Sequence, residues 1–368
     1  SLLAGAASAQ TPDPAHLSLV AGYKAAFTCS AHFNAGRSVE QIADDELNRI
    51  YRDYREAMAV LPDAVIDEKA KTVSVSYDGG ERIAAWRPYL GCVQLPTLAS
   101  ADAVKDMPAI SLRQDKKATP PLDERLSNDP GLLNIVRAAF DRATYGEGTE
   151  TTAVLVLKDG AIVAEQYREG FDATTPQRTW SVAKSIAGTV IGAAVKDGIL
   201  KVKEPAGLAA WSSPADPRGK ITLENLLHMS SGLTSGAAGN RTDDVYFGGG
   251  RVIDHAATNR LVAEPGTQWR YANNDTMLAM RVLHERMNDD RKFLEYPFVK
   301  VLGPLGMDHT FLETDWNGDF IMSSQVWTTA RDLARLGLLY LNDGVWEGKR
   351  ILPEGWAAYV ATPAPAQP

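Results

Sequence analysis

The sequence predicts an α+β protein in which antiparallel strands come first and helices dominate the rest. Two hairpin patterns lie before residue 170, and apolar residues recur at helical spacing from about residue 180 onward. Strands and helices that are segregated along a chain in this way favour α+β architecture over an alternating βαβ arrangement. No GxGxxG follows a predicted strand, so a dinucleotide-binding fold has no support.

The first hundred residues contain a predicted helix and a predicted hairpin. Apolar residues of 40–60 fall on one side of a helix: Ile42, Leu47, Ile50, Tyr51 and Tyr54. The strands VSVSY and RIAAW flank the turn Asp78-Gly79-Gly80 and predict a hairpin over 73–86. Residues 96–130 are rich in Pro, Asp, Lys and Ser and read as a linker, which predicts a boundary near 100–125.

A second hairpin and a series of helices follow this linker. Residues 154–157 and 162–167 are strand-like and are joined by Asp159-Gly160. Residues 181–198 are small and apolar on most sides, which predicts a buried helix closed by Gly198. The spacing predicts further helices at 222–227, 274–286 and 329–341.

The composition excludes several classes of function. The 368 residues carry 38 Lys+Arg and 46 Asp+Glu, which gives a net charge of −8. This acidic balance argues against nucleic acid as a partner, and no apolar run is long enough to span a membrane. The 45% hydrophobic content predicts a folded chain. The two cysteines lack a CxxC pattern and the six histidines lack HExxH, so neither a metal nor a cofactor is expected.

The N-terminus suggests export. Residues 1–9 resemble the end of a signal peptide, with an A-x-A-like cleavage site at Ala7-Ser8-Ala9, so we expect a periplasmic or secreted protein. In that oxidising environment Cys29 and Cys92 form either a disulfide or a pair of buried thiols.

Ser181 and Lys184 are the first candidate catalytic residues. They form an S-x-x-K motif at the start of the predicted buried helix, and a spacing of three places both side chains on one face. A serine hydroxyl becomes a nucleophile when a base removes its proton, and burial lowers a lysine pKa enough for that task. The helix N-terminus and the Ser181 N–H could stabilise an oxyanion.

Tyr271 and Asn273 form a second candidate pair. The string that begins at Pro265-Gly266 combines a turn with a tyrosine and an asparagine two residues apart, so both can point to one side of an extended segment. A phenol beside an ammonium can relay protons, and an amide can orient a substrate carbonyl. The segment 227–233 (LHMSSGL) is a helix end that runs into a glycine turn.

These motifs together resemble the serine β-lactamase and penicillin-binding-protein superfamily. The order of S-x-x-K, Y-x-N, LLHMSSGL and TARDLARLGLLYLNDG is similar to its class C-like branch, which contains esterases and 6-aminohexanoate-dimer hydrolases. The resemblance implies a β-lactamase-like fold, with an antiparallel sheet flanked by helices and a mostly helical subdomain. It implies a hydrolase domain over 125–368, preceded by an N-terminal extension and linker over 10–124.

The resemblance also implies a mechanism on a small ester or amide. Ser181 would form an acyl-enzyme, Lys184 and Tyr271 would act as base and acid, and Asn273 would bind substrate or Lys184. The third motif of the superfamily, a K/H-[TS]-G or G-x-G strand, is not found, so we expect its C-terminal strands to be missing from this chain. Two alternatives stay open. The absent motif and the N-terminal extension favour a non-catalytic or penicillin-binding sensor module, and the resemblance also allows a class C-like β-lactamase. Ser323-Ser324 is assigned no catalytic role.

Overall fold

A computed structural model describes residues 13–48, 51–112, 120–235 and 242–367. It confirms the predicted α+β fold, with small sheets among many helices. The helices are α1 (Pro14–Ala35), α2 (Val39–Ile42), α3 (Arg55–Val60), α4 (Pro130–Ala138), α5 (Arg142–Tyr145), α6 (Ala183–Lys196), α7 (Leu223–Leu227), α8 (Asp243–Tyr246), α9 (Val252–His255), α10 (Asn273–Met287), α11 (Asp290–Pro297), α12 (Gly303–Leu305), α13 (Ala330–Leu341) and α14 (Trp356–Ala361). The strands are β1 (Val65–Asp67), β2 (Thr72–Tyr77), β3 (Gly80–Arg87), β4 (Gly91–Gln94), β5 (Asp123–Glu124), β6 (Ala153–Lys158), β7 (Ala161–Tyr167), β8 (Gln177–Arg178), β9 (Phe311–Leu312), β10 (Val326–Thr328), β11 (Val345–Trp346) and β12 (Lys349–Arg350).

Helix α1 is the longest described helix and was not predicted. Asp13 caps it by accepting the Ala15 N–H, Pro14 occupies its first turn, and Gly36 ends it with φ of +63°. Small and apolar residues surround most of its circumference, so its sequence lacks the one-sided stripe that predicts a surface helix. The capping signals were the only local indication of it.

The single helix predicted over 40–60 is wrong. Short helices α2 and α3 are separated by a π-helical turn (Ala43–Leu47) and a 3₁₀ turn (Arg52–Tyr54). Glu46 within the π turn is buried, and its carboxylate binds Arg37 and Arg178. The segment is therefore not one continuous α-helix, and a buried ion pair with the distant Arg178 lies within its π-helical turn.

Both predicted hairpins are present. Strands β2 and β3 pair antiparallel across the 78–80 turn within the sheet β1-β2-β3-β4, against which α1 packs. Strands β6 and β7 pair antiparallel in a second sheet, where β5 adds to β7 in the parallel direction. A third sheet places β10 between β8 and β9, which brings the segment before Ser181 against residues 326–328.

One hydrophobic core joins the N-terminal helix to the helices that follow. Phe27 of α1, Val190 of α6, Met277 of α10 and Trp327 of β10 are buried members of the same cluster. Helix α6 lies within it, with most of its residues buried, as its small apolar sequence predicts.

Cys29 and Cys92 form a disulfide that ties α1 to β4. Of the two arrangements that the sequence left open, this is therefore the observed one. Their Cα atoms are 6.1 Å apart, within the usual range for such a bond.

Among the described residues, no helix has the length and apolar character needed to cross a membrane. The predicted signal-peptide remnant, 1–9, lies outside the described residues.

Candidate active site

Ser181 lies immediately ahead of helix α6 and not within it. Strand β8 ends at Arg178, a 3₁₀ turn spans Trp180–Val182, and α6 begins at Ala183. The Ser181 side chain is exposed, whereas Ala183 is buried. The nucleophile candidate therefore sits on a tight turn that leads into a buried helix.

Lys184 lies in the first turn of α6, and its ammonium is held by three oxygen atoms. Lys184 Nζ lies 3.2 Å from Ser181 Oγ and 2.8 Å from Asn273 Oδ1. It also donates to the backbone carbonyl of Ser323 at 2.6 Å. Burial lowers the pKa of Lys184 below its ordinary value, although its interaction with Tyr271 acts in the opposite direction. The lysine is therefore well placed to exchange a proton with Ser181.

Tyr271 completes the triad of side chains around the Ser181 hydroxyl. Its own hydroxyl donates to Ser181 Oγ at 2.5 Å, and Lys184 Nζ lies 4.8 Å from the centre of its ring. Burial raises the pKa of Tyr271, but hydrogen bonds with Ser181 and Lys184 and the lysine charge outweigh burial and lower that pKa overall. The phenol therefore gives up its proton more readily than an ordinary tyrosine.

The LHMSSGL turn holds the segment that carries Tyr271. The Arg270 N–H donates to the Met229 carbonyl at 3.0 Å, and the Gly266 N–H donates to the Ser230 carbonyl at 2.7 Å. Gly232 has φ of +77°, and a Cβ placed on it would lie 2.1 Å from the Ala263 carbonyl oxygen. This close approach requires glycine. The motif recognised in the sequence thus has a scaffolding role.

Asn273 and Asp275 fix the start of helix α10. Asn273 is the first residue of α10, and its amide oxygen accepts a hydrogen bond from Lys184 Nζ. Asp275, 2% exposed, accepts the Ser231 hydroxyl at 2.9 Å, and burial raises its pKa to about 7. The glycine turn and α10 are thereby joined beside the candidate site.

Ser323 and Tyr246 are contacts that the sequence did not reveal. The Ser323 carbonyl binds Lys184, while its hydroxyl lies 2.6 Å from the buried Tyr246 hydroxyl. A backbone carbonyl has no residue-type signature, so no pattern in the sequence could have pointed to this partner of Lys184.

An apolar cavity of about 590 Å³ runs along α6 beside Lys184. Gly188 and Ile191 of α6 form one wall, and Leu336 and Tyr340 of α13 form another. Its volume is in the range of small-molecule sites.

No cluster of three or more His, Cys, Asp or Glu side chains suited to a metal ion occurs within the described ranges. Asp315 begins a segment similar to a calcium loop, but its carboxylate accepts the backbone N–H groups of Asn317 and Asp319 at 2.9 Å. These bonds are those of an Asx-type turn.

The part of the chain that carries Ser181 matches the model of a known protein family. The beta-lactamase family model matches residues 136–367, which is more than half of the chain. The chain belongs to the beta-lactamase family. The superfamily resemblance predicted from its motifs is therefore confirmed.

A curated relative lies in the same branch. The chain is 27% identical over 230 residues to a 6-aminohexanoate-dimer hydrolase of Paenarthrobacter ureafaciens, and the match covers 58% of each chain. The chain thus spans under two thirds of that relative's length. This beta-lactamase family member is related to a hydrolase.

Solved structures support the fold. A Bacillus anthracis protein assigned as a 6-aminohexanoate-dimer hydrolase superposes with a TM-score of 0.54 at 21% identity, covering 67% of this chain and 71% of its own. A Bacteroides dorei protein assigned as a beta-lactamase gives a TM-score of 0.51 at 23% identity, with coverages of 62% and 68%. At these identities, the likeness concerns the fold alone.

Proposed function

We propose that this beta-lactamase family member is a serine hydrolase that cleaves a small ester or amide through an acyl-enzyme on Ser181. One observation carries the proposal: the Tyr271 hydroxyl and Lys184 Nζ lie 2.5 and 3.2 Å from Ser181 Oγ. A nucleophile within hydrogen-bond reach of its base, with the base oriented by further groups, is the arrangement that covalent catalysis needs. Asn273 and the Ser323 carbonyl provide that orientation.

The chemistry runs in two steps. Ser181 Oγ attacks the carbonyl carbon, and its proton passes to the Lys184–Tyr271 pair as the Oγ–C bond forms. Tyr271 returns the proton to the leaving oxygen or nitrogen when the scissile bond breaks, which leaves an acyl-Ser181 ester. Water then attacks the carbonyl carbon of this ester and gives a proton to the same pair. The pair returns that proton to Ser181 Oγ as the Oγ–C bond breaks, which releases a carboxylic acid and restores the free serine. The Ser181 N–H, just ahead of α6, is the proposed oxyanion donor.

Labelling of Ser181 tests this proposal. A fluorophosphonate probe reacts with activated serines, so we expect mass spectrometry to locate the adduct on Ser181 and Ser181→Ala to abolish it. Ser185→Ala is the matched control, because Ser185 is also exposed and lies four residues after Ser181, in the first turn of α6. Labelling that persists in Ser181→Ala, or a wild-type chain that the probe does not label, would contradict the proposal.

The relative favours an amide as the substrate. A 6-aminohexanoate-dimer hydrolase acts, by its name, on a dimer of 6-aminohexanoate, in which an amide joins the two units, and this chain resembles it over 230 residues. Turnover of p-nitroanilide and p-nitrophenyl derivatives of short acyl chains distinguishes amidase from esterase activity. Release of product from the esters alone would restrict the proposal to an esterase.

We also propose, from the A-x-A-like site at 7–9, that the enzyme is exported, which fractionation of cells expressing the gene would test.

A further inference from the structure

A buried cluster of charges joins the N-terminal region to the strand that precedes Ser181. Glu46 binds Arg37 at 2.7 Å through Oε1 and Arg178 at 2.5 Å through Oε2. The three side chains are only 7%, 3% and 3% exposed, in the order Glu46, Arg37, Arg178. Glu46 therefore neutralises a guanidinium located three residues ahead of the nucleophile candidate.

Arg178 also lies between two aromatic rings. Its guanidinium carbon is 3.7 Å from the centre of the Phe27 ring and 4.1 Å from that of Trp180. Trp180 in turn packs against Phe27 and Tyr51, with ring centres 6.0 and 5.9 Å apart. A planar guanidinium can pair with a carboxylate and stack its flat face on a ring at the same time, whereas an ammonium is a point charge without a flat face.

Trp180, the neighbour of Ser181, has a backbone conformation that needs such support. Its φ of +46° lies in the left-handed region, which is unfavourable for a bulky residue and persists only where its surroundings impose it. On one side, the Thr179 N–H donates to the Val326 carbonyl at 2.9 Å. On the other side, Arg178 and the aromatic residues of the N-terminal region contact the Trp180 ring.

We propose that Glu46 is a positioning residue for Ser181. It fixes Arg178 between Phe27 and Trp180, and this packing holds Trp180 in the conformation that presents the Ser181 hydroxyl to Lys184 and Tyr271. The assignment rests on the proposed function, since it concerns how the nucleophile is placed. A buried ion pair often adds little stability over an apolar replacement, so geometric definition of the turn is the better account of these charges.

The kinetics of Ser181 labelling distinguish a positioning role of Glu46 from a role in stability alone. Glu46→Gln keeps the shape of the side chain and removes its charge. We expect the maximal rate of labelling by the fluorophosphonate to fall between about tenfold and hundredfold, since small displacements of reacting groups cost that much. The probe concentration at half-maximal rate should stay unchanged, because Glu46 does not contact the probe.

Asp319→Asn is the matched control. Asp319 forms another buried ion pair, 3.0 Å from Arg281, with side-chain exposures of 2% and 18%. We expect this variant to lower the melting temperature and to keep the wild-type labelling rate. A wild-type labelling rate in Glu46→Gln, together with a lower melting temperature, would overturn the positioning role and leave the proposed function intact.

Two further outcomes are informative. If Glu46→Gln does not fold, Arg178→Lys decides: it keeps the positive charge beside Glu46 and loses the flat surface between the rings, so we expect a folded protein with a reduced labelling rate. An unchanged rate in folded Arg178→Lys would overturn the role. Absence of labelling in the wild-type chain would overturn both this proposal and the proposed function.

Discussion

Ser181 and Tyr271 are 90 residues apart in the chain, yet their hydroxyl oxygens lie 2.5 Å apart. The contact exists because the turn before α6 and the segment before α10 meet at Lys184. Two hydroxyl groups at this distance, beside one ammonium, provide a direct path for a proton.

Tyr271→Phe should remove this path and leave the fold intact, because the ring is retained. General acid–base catalysis contributes about 10²- to 10⁴-fold, so we expect a loss of that order in kcat/KM for an ester or amide that the wild type turns over. Tyr145→Phe, at an exposed position, is the control and should keep wild-type activity. Equal activity of Tyr271→Phe and wild type would exclude the phenol from proton transfer.

Asn273→Asp should alter the pH dependence of the reaction. A carboxylate 2.8 Å from Lys184 Nζ stabilises the ammonium and raises the pKa of Lys184. A base must be unprotonated to act, so the acidic limb of the pH–rate profile should move up by about one pH unit or more. The profile of Ser181 labelling measures this shift, and Asn134→Asp on exposed α4 controls for added charge. If the acidic limb does not move, Lys184 is not the group whose ionisation controls the rate.

Loss of the Cys29–Cys92 disulfide should destabilise the protein. The bond joins residues separated by 63 positions, which corresponds to about 4 kcal/mol in the chain-entropy model. Cys29→Ser/Cys92→Ser should therefore show a lower free energy of unfolding in urea. Reductant should destabilise the wild type to the same extent and leave the double variant unaffected. A double variant as stable as the oxidised wild type would argue against this contribution.

Glu313→Gln should change how stability depends on pH. Glu313 Oε1 accepts three donors: Ser30 Oγ at 2.6 Å, Asn34 Nδ2 at 3.2 Å and the Cys92 N–H at 3.2 Å. Burial raises the pKa of Glu313 to about 7, despite these donors. A glutamine oxygen can accept the same three bonds without a charge.

The direction in which stability changes with pH follows from proton uptake by Glu313. Between the unfolded pKa of Glu313 and about 7, the folded state binds more protons than the unfolded state, so wild-type stability falls as pH rises through this window. The free energy of unfolding of Glu313→Gln relative to wild type should therefore increase from pH 5 to pH 8, by on the order of 2–3 kcal/mol. A difference between the two proteins that is constant with pH would show that Glu313 does not titrate in this range.

The sequence predicted the site better than it predicted the N-terminal region. Ser181, Lys184, Tyr271 and Asn273 were selected by residue type, spacing and order along the chain, and the fold brings all four side chains together. Helix α1 was not predicted, because nearly every side of it is buried and its sequence therefore lacks a one-sided apolar stripe. The apolar pattern of 40–60 predicted one helix and carried no sign of the π-helical turn, in which Glu46 pairs with Arg37 and with the distant Arg178.

The partners of Lys184 show where sequence reasoning stops. Asn273 was named as a contact of substrate or Lys184, and it lies against the lysine. The Ser323 carbonyl contributes an equally short contact, 2.6 Å, through an atom that every residue possesses. Only the three-dimensional path of the backbone distinguishes this carbonyl from the others in the chain.

The hydrophobic core around α6 extends beyond the segment that the family model matches. The family match begins at residue 136, but the core that surrounds α6 starts with Leu17 and includes Phe27. The segment that the family model matches is therefore smaller than the hydrophobic core that packs around α6. A comparison restricted to the matched segment would leave out Phe27 and the other N-terminal residues of this core.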